Sequence, residues 1–286
     1  MATSRIAVLM TCHNRCKTTL TCLAHLYAQR MPDNVKLHTF LVDDGSEDGT
    51  WEAVHKQFPT VNILKGNGQL YWCGGMRFAW NEASKYNYDY YLWLNDDTML
   101  FPDAIDTMLN TAHCVRQKKH CDGIVVGSCR DPETGRHTYG GRVKRNERAR
   151  LADKPLPPTN YVMPCDTMNG NLVLIPRDVY YQLGNLSPLY THAFGDVDYG
   201  MRARCKNIPI FIAPGYIAEC PVNSGIRPWI NPKVSFIKRW KDMCSPHGLP
   251  PRQWYRYVKR HTGVLWPVYL MKPIVRLCFP RLWNIF

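Results

Sequence analysis

Residues 88–103 of the chain read YDYYLWLNDDTMLFPD. Tyr90–Leu94 is an aromatic and aliphatic run of strand length that stops abruptly at Asn95-Asp96-Asp97. Pro102 and Asp103 then open an amphipathic helix, whose apolar face carries Ile105, Met108, Leu109 and Ala112. A buried strand therefore delivers two carboxylates to its carboxyl end, which is where open α/β sheets bind ligands. Because adjacent acids resist burial, we expect a positive partner beside them, most simply a divalent metal ion.

Strand-like and helix-like segments alternate on both sides of this stretch. Strands are expected at residues 6–10, 37–42 and 61–64, and each is followed by a turn and a helical pattern. Residues 66–75 are rich in glycine, and we expect them to be too flexible for regular structure, with close packing as the alternative role of Gly74-Gly75. The alternation predicts an α/β fold with a mostly parallel central sheet covered by helices on both faces.

The composition excludes several classes of protein. A chain of 286 residues with 45% hydrophobic residues is long enough and apolar enough for one large folded domain. The twelve cysteines include no Cys-x-x-Cys pair, and no secretory signal is expected at the amino terminus, so we expect reduced cytosolic thiols. At the His113-Cys114 and His120-Cys121 pairs we expect ordinary packing rather than a zinc site.

Positive charge is concentrated at the carboxyl end. From Arg227 onward there are twelve lysines and arginines and one acid, Asp242, so 12 − 1 = +11 of the net charge of +13 lies there. Tryptophans and tyrosines are interleaved with these bases, which suits an anionic bilayer interface. Residues 263–286 are broken by Pro267, Pro273 and Pro280, so we expect no spanning helix. The alternatives are a solvated basic face packed on the main domain, or nucleic-acid binding.

Polar turns follow the expected strands in order, and all should open on one edge of the sheet. Asp43 or Asp44 could accept hydrogen bonds from a base N–H or a ribose hydroxyl. Asn14 and Arg15 lie beside a helix amino terminus, where they could contact a phosphate, and Arg77 could do so from the glycine-rich turn. No single turn is specific, and the prediction rests on their order along the sheet edge.

That order resembles the family 2 glycosyltransferases of GT-A fold, and within them the bacterial and viral rhamnosyltransferase-like branch. The matching motifs, spread over residues 6–223, are Thr11-x-x-Asn14-Arg15, Val42-Asp43-Asp44-Gly45-Ser46, Gly66-Asn67-Gly68 and Asn95-Asp96-Asp97. The resemblance implies a GT-A domain over residues 1–226. Residues 227–286 would be a basic, aromatic and helical extension that contacts acceptor or membrane.

The resemblance also implies residue roles. Asp97 would bind Mn²⁺ or Mg²⁺ bridging the diphosphate of a nucleotide-sugar, with Asn95 or Asp96 assisting. The donor-binding candidates are Thr11, Asn14, Arg15, Asp43, Asp44, Asn67, Trp72, Gly75, Arg77, Asn95 and Asp96. Many relatives add a histidine as a further metal ligand, but residues 218–223 read AECPVN. Either Glu219 or Cys220 substitutes for it, or the diphosphate and water complete the metal shell.

Transfer also needs a base, because an acceptor hydroxyl is a poor nucleophile. The family's acidic motif for this role corresponds to residues 192–202, where Gly195 replaces the usual Glu and Asp196 occupies the position of the base. The alternative for Asp196 is a helix cap. His192 either contacts acceptor or is structural, and Asp198 either contacts acceptor or braces the backbone. The basic excursion over residues 130–160 is expected to be a loop or hairpin near the site.

The expected function is an inverting hexosyltransferase that uses dTDP-rhamnose or a UDP-sugar. The expected acceptor is a glycan or lipid-linked oligosaccharide at the cytoplasmic face of a membrane, with no nucleic-acid partner. One rival is a sugar nucleotidyltransferase, which would need a glycine-rich phosphate loop that residues 11–17 lack. The other is a non-catalytic nucleic-acid-binding protein that uses the basic carboxyl end.

Overall fold

The structure is a computed structural model that describes residues 3–151, 154–222 and 228–280. The strands are β1 (Ser4–Cys12), β2 (Val35–Asp43), β3 (Asn62–Lys65), β4 (Tyr90–Leu94), β5 (Met99–Leu100), β6 (Ile124–Arg130), β7 (His137–Tyr139), β8 (Gly141–Val143), β9 (Lys154–Pro155), β10 (Met163–Cys165), β11 (Thr167–Met168), β12 (Leu172–Pro176) and β13 (Ile210–Glu219). The helices are α1 (Cys16–Tyr27), α2 (Thr50–Gln57), α3 (Tyr71–Ala83), α4 (Ala104–Lys119), α5 (Arg177–Leu183), α6 (Gly195–Cys205), α7 (Phe236–Cys244), α8 (Pro251–His261) and α9 (Trp266–Cys278). The expected domain boundary at 226/227, together with Arg227, Arg281 and Trp283, lies outside the described residues.

The centre of the molecule is a ten-stranded sheet, in the order β10-β13-β6-β12-β4-β1-β2-β3 with β5 on β13 and β7 on β6. Strand β1 is buried on both sides, which explains its continuous apolar sequence. On one side Val8 packs in a cluster with Leu23 of α1 and Met108 of α4. On the other side Leu9 packs in a cluster with Trp80 of α3. The expectation of helices on both faces is confirmed.

The sheet is mixed, which corrects the expectation of a mostly parallel one. Strands β4, β1, β2 and β3 are parallel neighbours, and β13 is parallel to β6. Strand β12 runs antiparallel between β4 and β6. The reason is the route of the chain, since the excursion after β6 returns it to the sheet from the end at which β4 finishes. No local pattern in Leu172–Pro176 encodes that direction.

The excursion over residues 130–160 is more ordered than a plain loop. Strand β7 folds back on β6, while β8 pairs with β9 and with β11 in a separate three-stranded sheet. Asp166 donates its N–H to the carbonyl of Arg142 over 2.9 Å, which extends the pairing of β8 with β11. The segment therefore forms a small platform beside the end of the main sheet.

The glycine-rich segment also departs from expectation, because α3 already begins at Tyr71. Gly74 and Gly75 are therefore helical and buried. At Gly75 an added Cβ atom would overlap the hydroxyl oxygen and the Cβ of Thr11, so only glycine lets the first turn of α3 lie this close to β1. Close packing, rather than flexibility, accounts for this glycine.

The carboxyl-terminal helices pack on the main sheet domain through two apolar clusters. Tyr257 and Val258 of α8 pack with Tyr190, and Met243 of α7 packs with Leu277 of α9. Within the described ranges, no helix combines the length and apolarity that a bilayer crossing requires. All twelve cysteines are unpaired thiols, as expected from their spacing.

Candidate active site

The acidic motif lies at the carboxyl end of β4, where Asp96 and Asp97 are 4% and 7% exposed. Arg15, from the turn after β1, spans both carboxylates. Its Nη1 donates to Oδ1 of Asp96 and its Nη2 to Oδ2 of Asp97, each over 2.9 Å. Burial raises the pKa of Asp96 to about 7; Arg15 opposes the rise and Asp97 adds to it. The expectation of a positive partner beside these acids is met by Arg15.

Asn95, the first residue of the motif, is held from two directions. Its Oδ1 accepts a 2.7 Å hydrogen bond from the indole Nε1 of Trp72, and its backbone N–H donates to the carbonyl of Asn171. These bonds join the end of β4 to the start of α3 and to the residue before β12. Trp72, a donor-binding candidate, thus contacts the acidic motif directly.

Asp44 organises the glycine-rich turn. Its carboxylate accepts backbone hydrogen bonds from Gly68 at 2.8 Å and from Leu70 and Tyr71 at 2.9 Å each. Three donors to one carboxylate hold the turn and the first residue of α3 against the end of β2. Asp43, beside it, accepts the N–H of Ser46 on Oδ1 over 2.9 Å. Both aspartates are almost fully buried at the sheet edge.

The other donor-binding candidates divide into two groups. Asn14 accepts the N–H of Glu47 on Oδ1 over 2.7 Å, which couples the first two turns of the sheet edge. Thr11 lies against Gly75, as described above, and the exposed Asn67 accepts the N–H of Gln69. Arg77 points elsewhere, because its Nη1 donates to the carbonyls of Ser187 and Tyr190. The sheet edge therefore gathers Thr11, Asn14 and Asn67, while Arg77 supports the 187–190 loop.

Asp196 lies in the first turn of α6, after Phe194 in a left-handed conformation with φ of 72°. Its Oδ2 accepts the N–H of Gly170 over 3.0 Å and its Oδ1 accepts the N–H of Val197 over 2.8 Å. Burial raises the pKa of Asp196 above the ordinary carboxyl value, although these two donors oppose the rise. The carboxylate is therefore fixed in direction and more basic than an exposed aspartate.

Two consecutive residues bring the motifs of Asp97 and Asp196 together. Gly170 donates to Asp196, and the carbonyl of Asn171 accepts from Asn95, two residues before Asp97. The Trp72 ring lies against Gly170 and Gly195, where added Cβ atoms would be 2.5 Å and 3.4 Å from its carbons. The two acidic motifs thus belong to one site, with Trp72 between them.

Asp198 is directed away from that site. It is 0% exposed, and its oxygens accept hydrogen bonds from Arg260 and His261 of α8 and from Arg202 of α6. Burial acts to raise the pKa of Asp198, but the His261 hydrogen bond and the two arginines outweigh it and lower the pKa. Of the two expected roles, the contacts of Asp198 match bracing, and they extend to α8 as well as the local backbone.

His192 contacts His247, a residue that the sequence analysis did not single out. Its ring lies 4.3 Å from that of His247, in the turn between α7 and α8, and both rings contact Tyr71 edge-on. Tyr71 itself has an unusual positive φ of 52° for an aromatic residue. No sequence signal connects His247 with the motifs, because it lies 55 residues beyond His192 (247 − 192 = 55) in an irregular segment.

Cys220, rather than Glu219, lies beside the acidic motif. Its Sγ is 3.6 Å from Oδ1 of Asp97 and accepts from Nδ2 of Asn171 over 3.5 Å. Burial and the charge of Asp97 raise the pKa of the Cys220 thiol to about 12, so it is protonated and donates to Asp97. Glu219 instead pairs with Arg130 over 3.0 Å. Of the two residues considered in place of the missing histidine ligand, Cys220 is therefore the one beside Asp97.

The acidic motif fits a hard divalent cation. Two buried carboxylates that share one guanidinium are the oxygen ligands that Mg²⁺ and Mn²⁺ take when a diphosphate supplies the rest of the shell. Across the parts of the chain that the structure describes, no cluster of three or more histidine, cysteine or acidic side chains could enclose a metal by itself. The arrangement is therefore that of an open site completed by its ligand.

Comparison with known proteins agrees with this geometry. The family model of glycosyl transferase family 2 matches residues 7–172, more than half of the chain. No curated protein sequence matches the chain significantly.

Two solved structures share the fold. One is the mannosyltransferase PcManGT from Pyrobaculum calidifontis in complex with GDP-Man and Mn²⁺, with a TM-score of 0.58 and 16% identity over 98% of this chain and 74% of that one. The other is S. aureus TarS in complex with UDP-GlcNAc, with a TM-score of 0.54 and 13% identity over 95% of this chain and 72% of that one. The fold is that of GT-A glycosyltransferases, and the chain belongs to glycosyltransferase family 2.

Proposed function

We propose that the chain is an inverting hexosyltransferase that moves a sugar from a nucleotide-diphosphate donor to a hydroxyl of a glycan. The observation that carries the proposal is the pair Gly170 and Asn171, which joins Asp196 to the motif containing Asp97. A departing diphosphate needs a cation on its oxygens, and an attacking hydroxyl needs a base on the opposite side of the sugar carbon. In this site one acidic motif can bind the cation and the other can supply the base.

On the donor side, Asp97 with Asp96 would hold a divalent cation. When bound, Mn²⁺ or Mg²⁺ neutralises the charge that develops on the departing diphosphate. Arg15 lies at the same carboxylates, and its guanidinium can bind phosphate oxygens once it is released from them. Thr11, Asn14 and Asp43 line the sheet edge where the nucleoside would bind, and Asp44 keeps that edge in shape.

On the acceptor side, Asp196 accepts the proton of the attacking hydroxyl. Its two backbone donors fix the carboxylate in place, and the raised pKa makes it a better base than a solvated aspartate. A single displacement from the side opposite the leaving group inverts the anomeric carbon. Asp198, two residues later, keeps α6 in position by pairing with α8.

The donor proposed first is dTDP-rhamnose, followed by UDP-sugars, because the acidic motif begins with Asn95 as in the rhamnosyltransferase-like branch. The two structural neighbours carry GDP-Man and UDP-GlcNAc, so GDP-mannose joins the set to be compared. The proposed acceptor is a glycan, on a polyprenyl diphosphate lipid at the cytoplasmic face of a membrane. The bases and aromatic residues of α7, α8 and α9 support that location.

The test is a panel of nucleotide-sugars with Mn²⁺, with Mg²⁺ or with a chelator, scoring transfer or hydrolysis. We expect turnover of one donor that the chelator abolishes. Asp97→Ala should lose metal-dependent donor binding, whereas Asp196→Asn should bind donor normally and lose at least about 100-fold in turnover. Asp103→Asn, in an exposed ion pair, is the matched control. Full activity of Asp196→Asn would remove it as the base, and salt-sensitive nucleic-acid binding without turnover would favour the non-catalytic alternative.

A further inference from the structure

Exposed aliphatic and aromatic side chains are concentrated on the carboxyl-terminal helices. Outside these helices, four of the five large apolar residues exposed in the described part of the chain are tyrosines, which keep a hydroxyl in water. On α7, α9 and the turn before α9 they are instead mostly aliphatic, and the most exposed are Val264 at 89% and Ile237 at 70%. Apolar surface concentrated in this way marks an interaction site.

The exposed residues of α9 form one stripe. Val268, Met271 and Val275 of α9 are exposed and are separated by steps of three and four residues, the spacing of a single helix face. Val264 in the turn before α9 and Phe279 directly after it are also exposed, each four residues from the nearest of these three. The opposite face packs on the protein, through Trp266, Tyr269, Leu270 and Leu277. Helix α9 is therefore anchored along one side and presents a continuous apolar side to the surroundings.

The charge around this stripe identifies its partner. Residues 228–280 contain ten lysines and arginines and one acid, Asp242, a balance of 10 − 1 = +9. Lys272, within α9, is exposed and lies 4.5 Å from the ring of Tyr269, and Lys259 of α8 lies 5.4 Å from the ring of Tyr255. Trp240 of α7 is 44% exposed. An apolar stripe with flanking bases and amphipathic rings complements an anionic lipid surface, in which the stripe enters the acyl boundary while the bases meet headgroups.

We propose that the apolar stripe formed by Val268, Met271 and Val275 of α9, with Val264 before the helix and Phe279 after it, docks on an anionic lipid bilayer. The surface is connected to the active site, because α9 packs on α8 through Trp266 and α8 binds Asp198 through Arg260. Helix α8 thus links α9 to α6, the helix whose first turn carries Asp196. The inference rests on the membrane-face location proposed above, but its test needs neither donor nor acceptor.

The test is co-sedimentation of the full chain with vesicles of phosphatidylcholine alone or mixed with phosphatidylglycerol. We expect binding to the mixed vesicles that weakens with salt and is at least about tenfold weaker on neutral ones. Val268→Glu combined with Val275→Glu should lower binding to mixed vesicles at least about tenfold, because two charges would enter the acyl boundary. Val268→Ser with Val275→Ser, which adds no charge, should lower it by a smaller factor.

The control is Tyr181→Glu, which places one glutamate, half of the charge added by the pair, on an exposed aromatic position of α5, away from the stripe. It should bind vesicles as the unaltered chain does, and thermal melting should show all variants folded.

Three results would overturn the proposal: no vesicle binding by the unaltered chain, equal binding by the glutamate pair, or equal binding to neutral and anionic vesicles. A dimer that the glutamate pair dissociates in analytical ultracentrifugation would assign the stripe to a second copy of the chain instead. If the glutamate pair keeps its transfer activity in detergent, the loss of vesicle binding does not count against the proposed glycosyl transfer.

Discussion

The backbone N–H of Gly170 donates a 3.0 Å hydrogen bond to Oδ2 of Asp196. Strand β12 begins two residues after Gly170, and Asn171 between them is bonded to the acidic motif through Asn95. The antiparallel insertion of β12 beside β4 therefore determines where the proposed base lies relative to the proposed cation ligands. A sheet edge and a helix start from distant parts of the chain form one site because this strand joins them.

The pH dependence of transfer should report the environment of Asp196. The base must be ionised to accept a proton, and burial raises its pKa, so activity is lost as pH falls through a value above the ordinary aspartate pKa of about 4. The measurement is the pH profile of kcat/KM for transfer, with donor binding followed at each pH as the control. An acid limb at or below about pH 4 would contradict the assignment.

Replacing Arg15 by Gln should make the stability of the chain more dependent on divalent cations. The substitution leaves Asp96 and Asp97 buried without their counter-ion, so the variant should melt at a lower temperature than the unaltered chain. Added Mn²⁺ should then raise its Tm by more than it raises that of the unaltered chain, whose carboxylates are already paired.

Arg30→Gln is the control for this experiment, because Arg30 pairs with Asp103 at an exposed position where ion pairs contribute little. Melting curves near pH 8 with and without Mn²⁺ supply the comparison, since burial raises the pKa of Asp96 to about 7 and its carboxyl group is mostly ionised at pH 8. Identical Mn²⁺ shifts in the Arg15 variant and the unaltered chain would show that the two cations do not use the same carboxylates.

Asp198→Asn should destabilise the fold by ~3–5 kcal/mol, because it leaves Arg202 and Arg260 facing a neutral group in a buried position. The lowered pKa of Asp198 gives the sign of the pH effect. Its stabilisation is present above the ordinary aspartate pKa and is lost as pH falls through the lower folded value. Urea unfolding between pH 7 and pH 3 should show a steeper acid loss in the unaltered chain than in the variant.

Asp103→Asn again serves as the comparison for unfolding, and it should change the free energy of unfolding by less than about 0.5 kcal/mol. A cost below about 1 kcal/mol for Asp198→Asn, with an unchanged acid slope, would mean that α8 does not depend on this carboxylate.

Gly75→Ala should cost ~1–3 kcal/mol, because the added Cβ would overlap Thr11 and push α3 away from β1. Since α3 carries Trp72 at the site, donor binding should weaken as well. Combining Gly75→Ala with Thr11→Ala should recover part of the stability, because the hydroxyl oxygen, the Thr11 atom nearest to the added Cβ, is removed. Strictly additive costs in urea unfolding would show that the two residues do not press on each other.

Much of the amino-terminal half was predictable from local patterns. Strand β4 has the bounds expected from its run of apolar residues, and β1 and β2 extend the expected segments by one or two residues at each end. Gly75 shows a limit of prediction from local sequence patterns. Its position in a helix depends on Thr11, 64 residues earlier (75 − 11 = 64), so a reading based on glycine flexibility places the start of α3 too late.

The sequence indicated which residues are candidates for the site, but not which residues each of them pairs with. The resemblance to the family 2 glycosyltransferases identified Asp97 and Asp196 as candidates, and a positive partner for the adjacent acids Asp96 and Asp97 follows from their repulsion. That Arg15 is this partner, that Asp44 secures a turn and that Asp198 secures α8 depend on pairings across 81, 24 and 62 residues.

The sequence by itself determined the alternation of strands and helices, the acids at the end of β4 and the excess of bases at the carboxyl end, because each is a property of neighbouring residues. Only the tertiary structure decided the antiparallel direction of β12, the placing of Trp72 between the two acidic motifs and the exposure of one face of α9. Those features depend on which distant segments pack together and exclude water. The spacing of hydrophobic residues along the chain specifies that one face of an element is buried, but it does not specify which other segment covers that face.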